Sequence, residues 1–224
     1  MVAAGLHAVE ASMSEETVRS SPREVILSGA FDALMRHGLP MLSYDRIAEA
    51  AGLSRQVVRY HFPDPEDLMV GLCDKLAATY TDALITNAVT LEGPSRIEMF
   101  LDFYFDMLSD VPKPRDDAVY DALMSFAAGS PKVRAALRGQ YSLLGQVLSH
   151  EFRVAYPALS REAAGELSFL FVSLMYGHWK MVASLGLSET HNEVTRQGME
   201  RLIRSYVVLG KPASSVGRVW TRPD

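Results

Sequence analysis

The chain has 224 residues, enough to bury a substantial core in one large or two small domains. It is 48% hydrophobic and 22% charged, which excludes a disordered chain, and its net charge of -5 excludes a uniformly basic coat for nucleic acid while allowing a local basic patch. Cys73 is the only cysteine, so neither an intrachain disulfide nor a cysteine-built zinc site can exist.

Residues 1–20 show weak apolar periodicity and read as a disordered arm. Arg19 is their first positive side chain, so a secretory signal is not expected. Ser21 and Pro22 then open a helix that Gly38 closes. Ser43 is the expected N-cap of "YDRIAEAA", and Gly52 sits where a helix ends in a left-handed residue. Ser54 caps a further helix of about two turns, "RQVVRYHF". Asp64, Pro65, Glu66 and Asp67 start the next one, with cap, first-turn proline and acids at the positive helix end. Helical patterns continue over 94–110, 115–128, 131–155, 161–186 and 189–209, broken by proline or glycine. No segment alternates as a strand does, so the fold class is all-α, with about nine helices. The apolar stretch 167–187 holds His178 and Lys180, and a central Lys costs about 2.5 to 3.5 kcal/mol in a membrane, so a protein-covered helix is expected instead. A cytoplasmic protein with no membrane partner follows.

The segment "RIAEAAGLSRQVVRYHF" carries the most specific signal. A helix of about two turns needs neighbours to hold it. Ile47, Ala51 and Leu53 supply apolar contacts from one side and Val58 from the other; Ala48 lets a second helix cross closely, and Gly52 suits the turn. Two short helices meeting through such a turn make a helix-turn-helix. With the valines toward the core, Arg55, Gln56, Arg59 and Tyr60 project outward, on the helix that would enter a major groove. Arg pairs bidentately with guanine and Gln with adenine, and Ser43 and Ser54 at helix starts suit phosphate oxygens. Over 21–62 the arginines at 23, 36, 46, 55 and 59 outnumber the acids at 24, 32, 45 and 49 by one, a modest local excess. The alternative is a solvated face of a helical bundle.

The residues "SYDRIAEAAGLSRQVVRYHFPDPEDL" resemble the DNA-binding domain of TetR-type transcriptional regulators. The resemblance covers about a fifth of the chain and implies an N-terminal three-helix reader followed by a larger helical ligand-binding and dimerisation domain. It divides the chain into an arm (1–20), a helix-turn-helix domain (21–66), an effector and dimerisation domain (67–210) and a tail (211–224). It implies Ser43 and Ser54 as phosphate-facing caps, Arg55, Gln56 and Val57 toward bases, and Tyr60 and His61 along the backbone, with Arg46 and Arg59 in the same DNA-binding set. The chain departs from the pattern at Gln56, where many members carry Gly; at Arg59, where many carry Tyr; and at Pro65, where a phosphate-binding Lys is common.

The middle of the chain is rich in aromatic and methionine side chains. Phe103, Met107, Tyr120, Met124, Tyr141, Phe171, Met175 and Trp179, with His178 as a polar anchor, are candidates to line an apolar effector pocket. The plainer reading is core filling. Glu98, Asp102 and Asp106 share one helix face, which reads as solvated rather than catalytic. Two helices over 161–209 carry more apolar surface than one chain buries, so a homodimer is expected. GxSxG, P-loop, GxGxxG and HExxH are all missing, so neither enzyme chemistry, a cofactor nor a metal is expected. The function expected is a ligand-responsive DNA-binding regulator, a repressor released from a palindromic double-stranded operator by a small-molecule effector. The alternative is a helical carrier or enzyme whose reader segment no longer binds DNA.

Overall fold

The computed structural model describes residues 21–88, 94–105, 107, 116–214 and 219–220; the arm read over 1–20 lies outside them. Among the described residues there are nine α-helices and no strand. They are α1 (Pro22–His37), α2 (Tyr44–Ala51), α3 (Arg55–His61), α4 (Pro65–Ala88), α5 (Pro94–Tyr104), α6 (Asp117–Gly129), α7 (Pro131–Ala155), α8 (Arg161–Trp179) and α9 (His191–Leu209). The chain separates into two compact units between Leu68 and Met69, a boundary that falls within α4.

In the first unit each helix starts where the sequence places a cap. Ser21 forms a capping box with Glu24: its hydroxyl accepts from the Glu24 N–H at 3.3 Å, and its own N–H donates to the Glu24 carboxylate at 2.7 Å. Gly38, at φ 70°, ends α1, and a 3₁₀ turn at Leu39–Met41 follows. Ser43 accepts from the Arg46 N–H at 3.3 Å to start α2, and Gly52 closes it in the left-handed region at φ 64°. Ile26, Ala30 and Leu34 of α1, Ile47 and Ala48 of α2, Val58 of α3 and Phe62 form the core.

A close helix crossing is made by a residue the sequence did not single out. A Cβ on Gly29 would lie 2.7 Å from Ala51 Cβ and 2.9 Å from the Ile47 carbonyl, so α1 meets α2 backbone to backbone at that point. Ala48, expected to permit a close crossing, is buried.

The second unit packs α6 and α8 against α7, and α9 against α8, with α5 on α7 and α9. Its interior centres on Phe103, Phe105, Phe152 and Phe171, all essentially inaccessible to solvent. The helix expected over 94–110 is α-helical only to Tyr104, and its later part lies largely outside the described residues. The helix expected over 161–186 changes character at Trp179: Lys180–Ser184 is a π-turn. Both its ends bond to α6: Asp121 takes the Lys180 ammonium on one oxygen and the Ser184 hydroxyl on the other at 3.0 Å.

In the segment read as a tail, the described residues 211–214 and 219–220 include two that contact α8. The Glu166 carboxylate on α8 accepts from the Tyr206 hydroxyl at 2.8 Å and from the Ala213 N–H at 2.6 Å. Trp220 donates its indole N–H to the Ser168 hydroxyl at 2.8 Å and lies edge-on to Phe169, with ring centroids 5.4 Å apart. A Cβ on Gly145 would fall 2.0 Å from that indole, so only glycine at 145 admits the ring. The signal was the lone tryptophan in a polar stretch, whose apolar area favours burial.

Candidate nucleic-acid interface and interior cluster

α3 has only seven residues, too few to be stable alone, so its surroundings fix it. Ser54 accepts from the Val57 N–H at 3.3 Å at the N-terminal end. At the other end two side chains take up carbonyls that the helix leaves without partners. Arg23 of α1 donates to the His61 carbonyl at 2.9 Å, and its guanidinium stands 4.1 Å over the Phe62 ring. Tyr44 of α2 donates its hydroxyl to the Phe62 carbonyl at 2.8 Å. Burial pushes the Tyr44 pKa up, so the hydroxyl keeps the proton it donates. Val58 is fully buried, which anchors one face of α3 and turns the opposite face outward. Neither Arg23 nor Tyr44 was singled out from the sequence; their roles depend on contacts across 38 and 18 residues.

The outward face gathers part of the expected set. Arg55, Gln56, Arg59 and Tyr60 line one open concavity of about 560 Å³, and Tyr60 is 81% exposed. Val57 is half-buried and outside the lining. The expectation that both valines turn inward therefore holds fully only for Val58, because at this helix's pitch adjacent residues cannot share one face. His61 is half-buried, its ring edge-on to Tyr60 at 5.1 Å between centroids. Arg46 lies on α2 and Ser43 caps it; Ser43 and Ser54 use their oxygens as cap acceptors, which leaves each hydroxyl hydrogen available to a further acceptor. The two exposed arginines differ. Arg55 Nη1 donates to Asp45 of α2 at 3.2 Å, whereas Arg59 makes no such bond to any described residue.

In the second unit Trp179 is the hub. Its ring stacks on Tyr80 at 6.1 Å and lies 6.2 Å from Tyr104 and 6.4 Å from Tyr120. Phe103 is edge-on to both Tyr80 and Tyr104. Phe171 is edge-on to Tyr104, and Phe105 is edge-on to His178. Of the expected interior set, Phe103, Tyr120, Phe171, Met175, His178 and Trp179 are buried, and Met124 and Tyr141 half-buried. Met107 is 43% exposed and lies instead in an open polar groove of about 560 Å³ with Asp102, Arg196 and Glu200.

The cluster has polar groups at its edges. Tyr80 donates to the buried Asp116 carboxylate at 2.9 Å, and burial together with that carboxylate holds the phenol protonated. Burial likewise raises the pKa of Tyr104, Tyr120 and Tyr141, each with a further push from a neighbouring tyrosine. The Tyr141 hydroxyl, the Gln140 amide nitrogen and one Asp117 oxygen are buried with no hydrogen-bond partner among the described residues. Tyr80 and Asp116 were missed in sequence; Tyr80 continues the Leu72, Leu76 spacing of four, which marks a core position but not a polar contact. Burial raises the Cys73 thiol to about 12, so it is not a reactive thiolate.

The carboxylate stripe does not assemble into a site: Glu98 is exposed, Asp102 pairs with Arg196 at 2.9 Å, and Asp106 lies outside the described residues. Among the described residues no group of three or more His, Cys, Asp or Glu is placed to hold a metal ion, and no helix is long and apolar enough to cross a membrane.

No family model matches the chain. Solved structures do. A transcriptional regulator from Rhodococcus sp. Rha1 superimposes with a TM-score of 0.66 at 20% identity, covering 85% of this chain and 97% of that one. A choline complex of a candidate transcriptional regulator from Saccharomonospora viridis gives 0.66 at 21% identity, covering 83% and 97%. A TetR-family transcriptional regulator from Agrobacterium tumefaciens gives 0.64 at 19% identity, covering 81% and 97%. At these identities the likeness establishes a common fold.

Proposed function

We propose that this chain, which has the fold of the TetR-family transcriptional regulators, is a homodimeric DNA-binding regulator that represses until a small molecule releases it. The observation that carries the reading is the concavity formed by Arg55, Gln56, Arg59 and Tyr60 on a helix pinned at both ends. Four donors project from one rigid two-turn helix whose other face is anchored by buried Val58. That is what bidentate reading of base edges in a major groove requires. In this reading Arg55, Gln56 and Arg59 face bases, with Val57 making apolar contact beside them. Ser43, Ser54, Arg46, Tyr60 and His61 hold the phosphate backbone.

The effector site is the cluster around Trp179. Phe103, Tyr120, Met124, Phe171 and Met175 supply apolar wall, and His178 and the Tyr141 hydroxyl the polar anchors. A buried hydroxyl without a partner costs about 1 to 3 kcal/mol, which a ligand acceptor bonded to Tyr141 would recover. The choline complex of a protein with the same fold supports a small organic ligand as the class to test. A ligand that binds one arrangement of the dimer better than the other shifts the population away from the arrangement that fits both half-sites.

The test is duplex binding across a salt series, with and without ligand candidates. The reading predicts affinity that falls steeply and log-linearly with salt, with a slope of roughly 0.9 per phosphate contact. A folded protein that binds no duplex at low salt overturns it and favours a helical ligand carrier.

A further inference from the structure

We infer that Asp45 is a specificity-determining residue of the reader, acting through Arg55; the inference rests on the DNA-binding reading above. Arg55 is the first residue of α3 and Asp45 the second of α2, so the turn at Gly52 brings the two helix starts together. Asp45 Oδ2 accepts from Arg55 Nη1 at 3.2 Å. As a surface pair, with side chains 57% and 65% exposed, this bond adds little stability. Its consequence is direction.

A free arginine side chain samples many rotamers, and ordering it on a base is opposed by the entropy of those rotamers. Asp45 restricts that sampling before any contact with DNA, and does so through one nitrogen. The Nε and Nη2 edge of Arg55 has no other partner among the described residues, and two parallel donors are what the O6 and N7 acceptors of guanine take. The exposed Asp45 carboxylate beside Arg55 is also a negative acceptor. It tolerates a base amino group and repels a phosphate or a base oxygen, so mismatched registers are penalised. Arg59, one helical turn further on and lining the same concavity, has no such holder among the described residues and keeps its freedom. Two arginines of one chemical type therefore have different tasks: Arg55 selects and Arg59 adapts.

The test is selection of bound duplexes from a random pool by the full chain, by Asp45→Asn, by Arg55→Ala and by the double variant. Circular dichroism on each establishes that the exposed substitutions leave the fold intact. Asp45→Asn is expected to lower the base preference at one position of each half-site about tenfold, within the range of a single bidentate contact. Arg55→Ala should abolish preference at that same position, and adding Asp45→Asn to it should change nothing further. If Asp45→Asn instead tightens binding to every sequence equally, Asp45 only repels the backbone and the inference fails. An effect of Asp45→Asn that persists unchanged in the Arg55→Ala background also overturns it. Failure of the unsubstituted chain to enrich any sequence removes the DNA-binding reading itself, and this inference with it.

Discussion

At the scale of single residues, the proposed reader face is defined by what holds its side chains as much as by the side chains. Arg59 points into the concavity without a described ion pair, so its contribution depends on the duplex. Arg59→Ala should cost about 1 to 3 kcal/mol at one base position if it reads a base, which titration against single-position operator variants resolves. Uniform weakening on all sequences would instead mark a phosphate contact. Gly29 makes a different kind of prediction. Ala at 29 would push its Cβ into the Ala51 and Ile47 backbone, so Gly29→Ala should destabilise by about 1 to 3 kcal/mol, read as a lower urea midpoint with unchanged slope. Ser21, Ser43, Gly52 and Ser54 were legible in sequence because caps and left-handed turns are local chemistry. Gly29, Arg23 and Tyr44 were not, because their partners lie far along the chain and no local pattern names them.

At the scale of elements, α3 is a short helix stabilised from outside. Arg23→Ala and Tyr44→Phe each remove a donor from its C-terminal carbonyls. Each should speed amide exchange in α3 and weaken duplex binding several-fold, while leaving exchange in α6 and α7 unchanged. The described residues after Gly210 strap onto α8 through Ala213 and Trp220. Burial alone would raise the pKa of Glu166, but hydrogen bonds from Ser214, Ala213 and Tyr206 outweigh it and hold the group below the ordinary 4.5. A carboxylate with a lowered folded-state pKa adds stability above its unfolded value, and that stability disappears as pH falls through the folded one. Acidification below about 4.5 should therefore free the strap, seen as a red shift of Trp220 emission that Glu166→Gln no longer shows over that window. Helix interiors were legible from periodicity alone, as α7 over 131–155 shows. The end of α8 was not: Lys180 and Ser184 bond there to Asp121 of another helix, a partner that no local pattern names.

At the scale of the whole molecule, the division of labour follows from composition. The acidic chain places Arg55 and Arg59 together on one short face of the first unit, while its largest aromatic cluster lies in the second. The outer faces of α8 and α9 keep Phe169 at 43%, Val194 at 67% and Val208 at 85% exposure, which a second copy would cover. Sedimentation should accordingly give a dimer near twice the 24.7 kDa chain mass, and a monomer at micromolar concentration would count against paired readers. The three-helix start was legible because cap, turn glycine and outward polarity coincide within twenty residues. The aromatic interior was legible in kind but not in membership: Tyr80 and Asp116 enter it, and Met107 stands in the groove outside.

The most direct measurement is selection of bound duplexes from a random pool by the purified chain without added ligand. The account predicts enrichment of an inverted repeat, with half-sites about one helical turn or a small multiple apart. A folded dimer that enriches no sequence at low salt would contradict it and leave the cluster around Trp179 as the centre of a carrier's or enzyme's function.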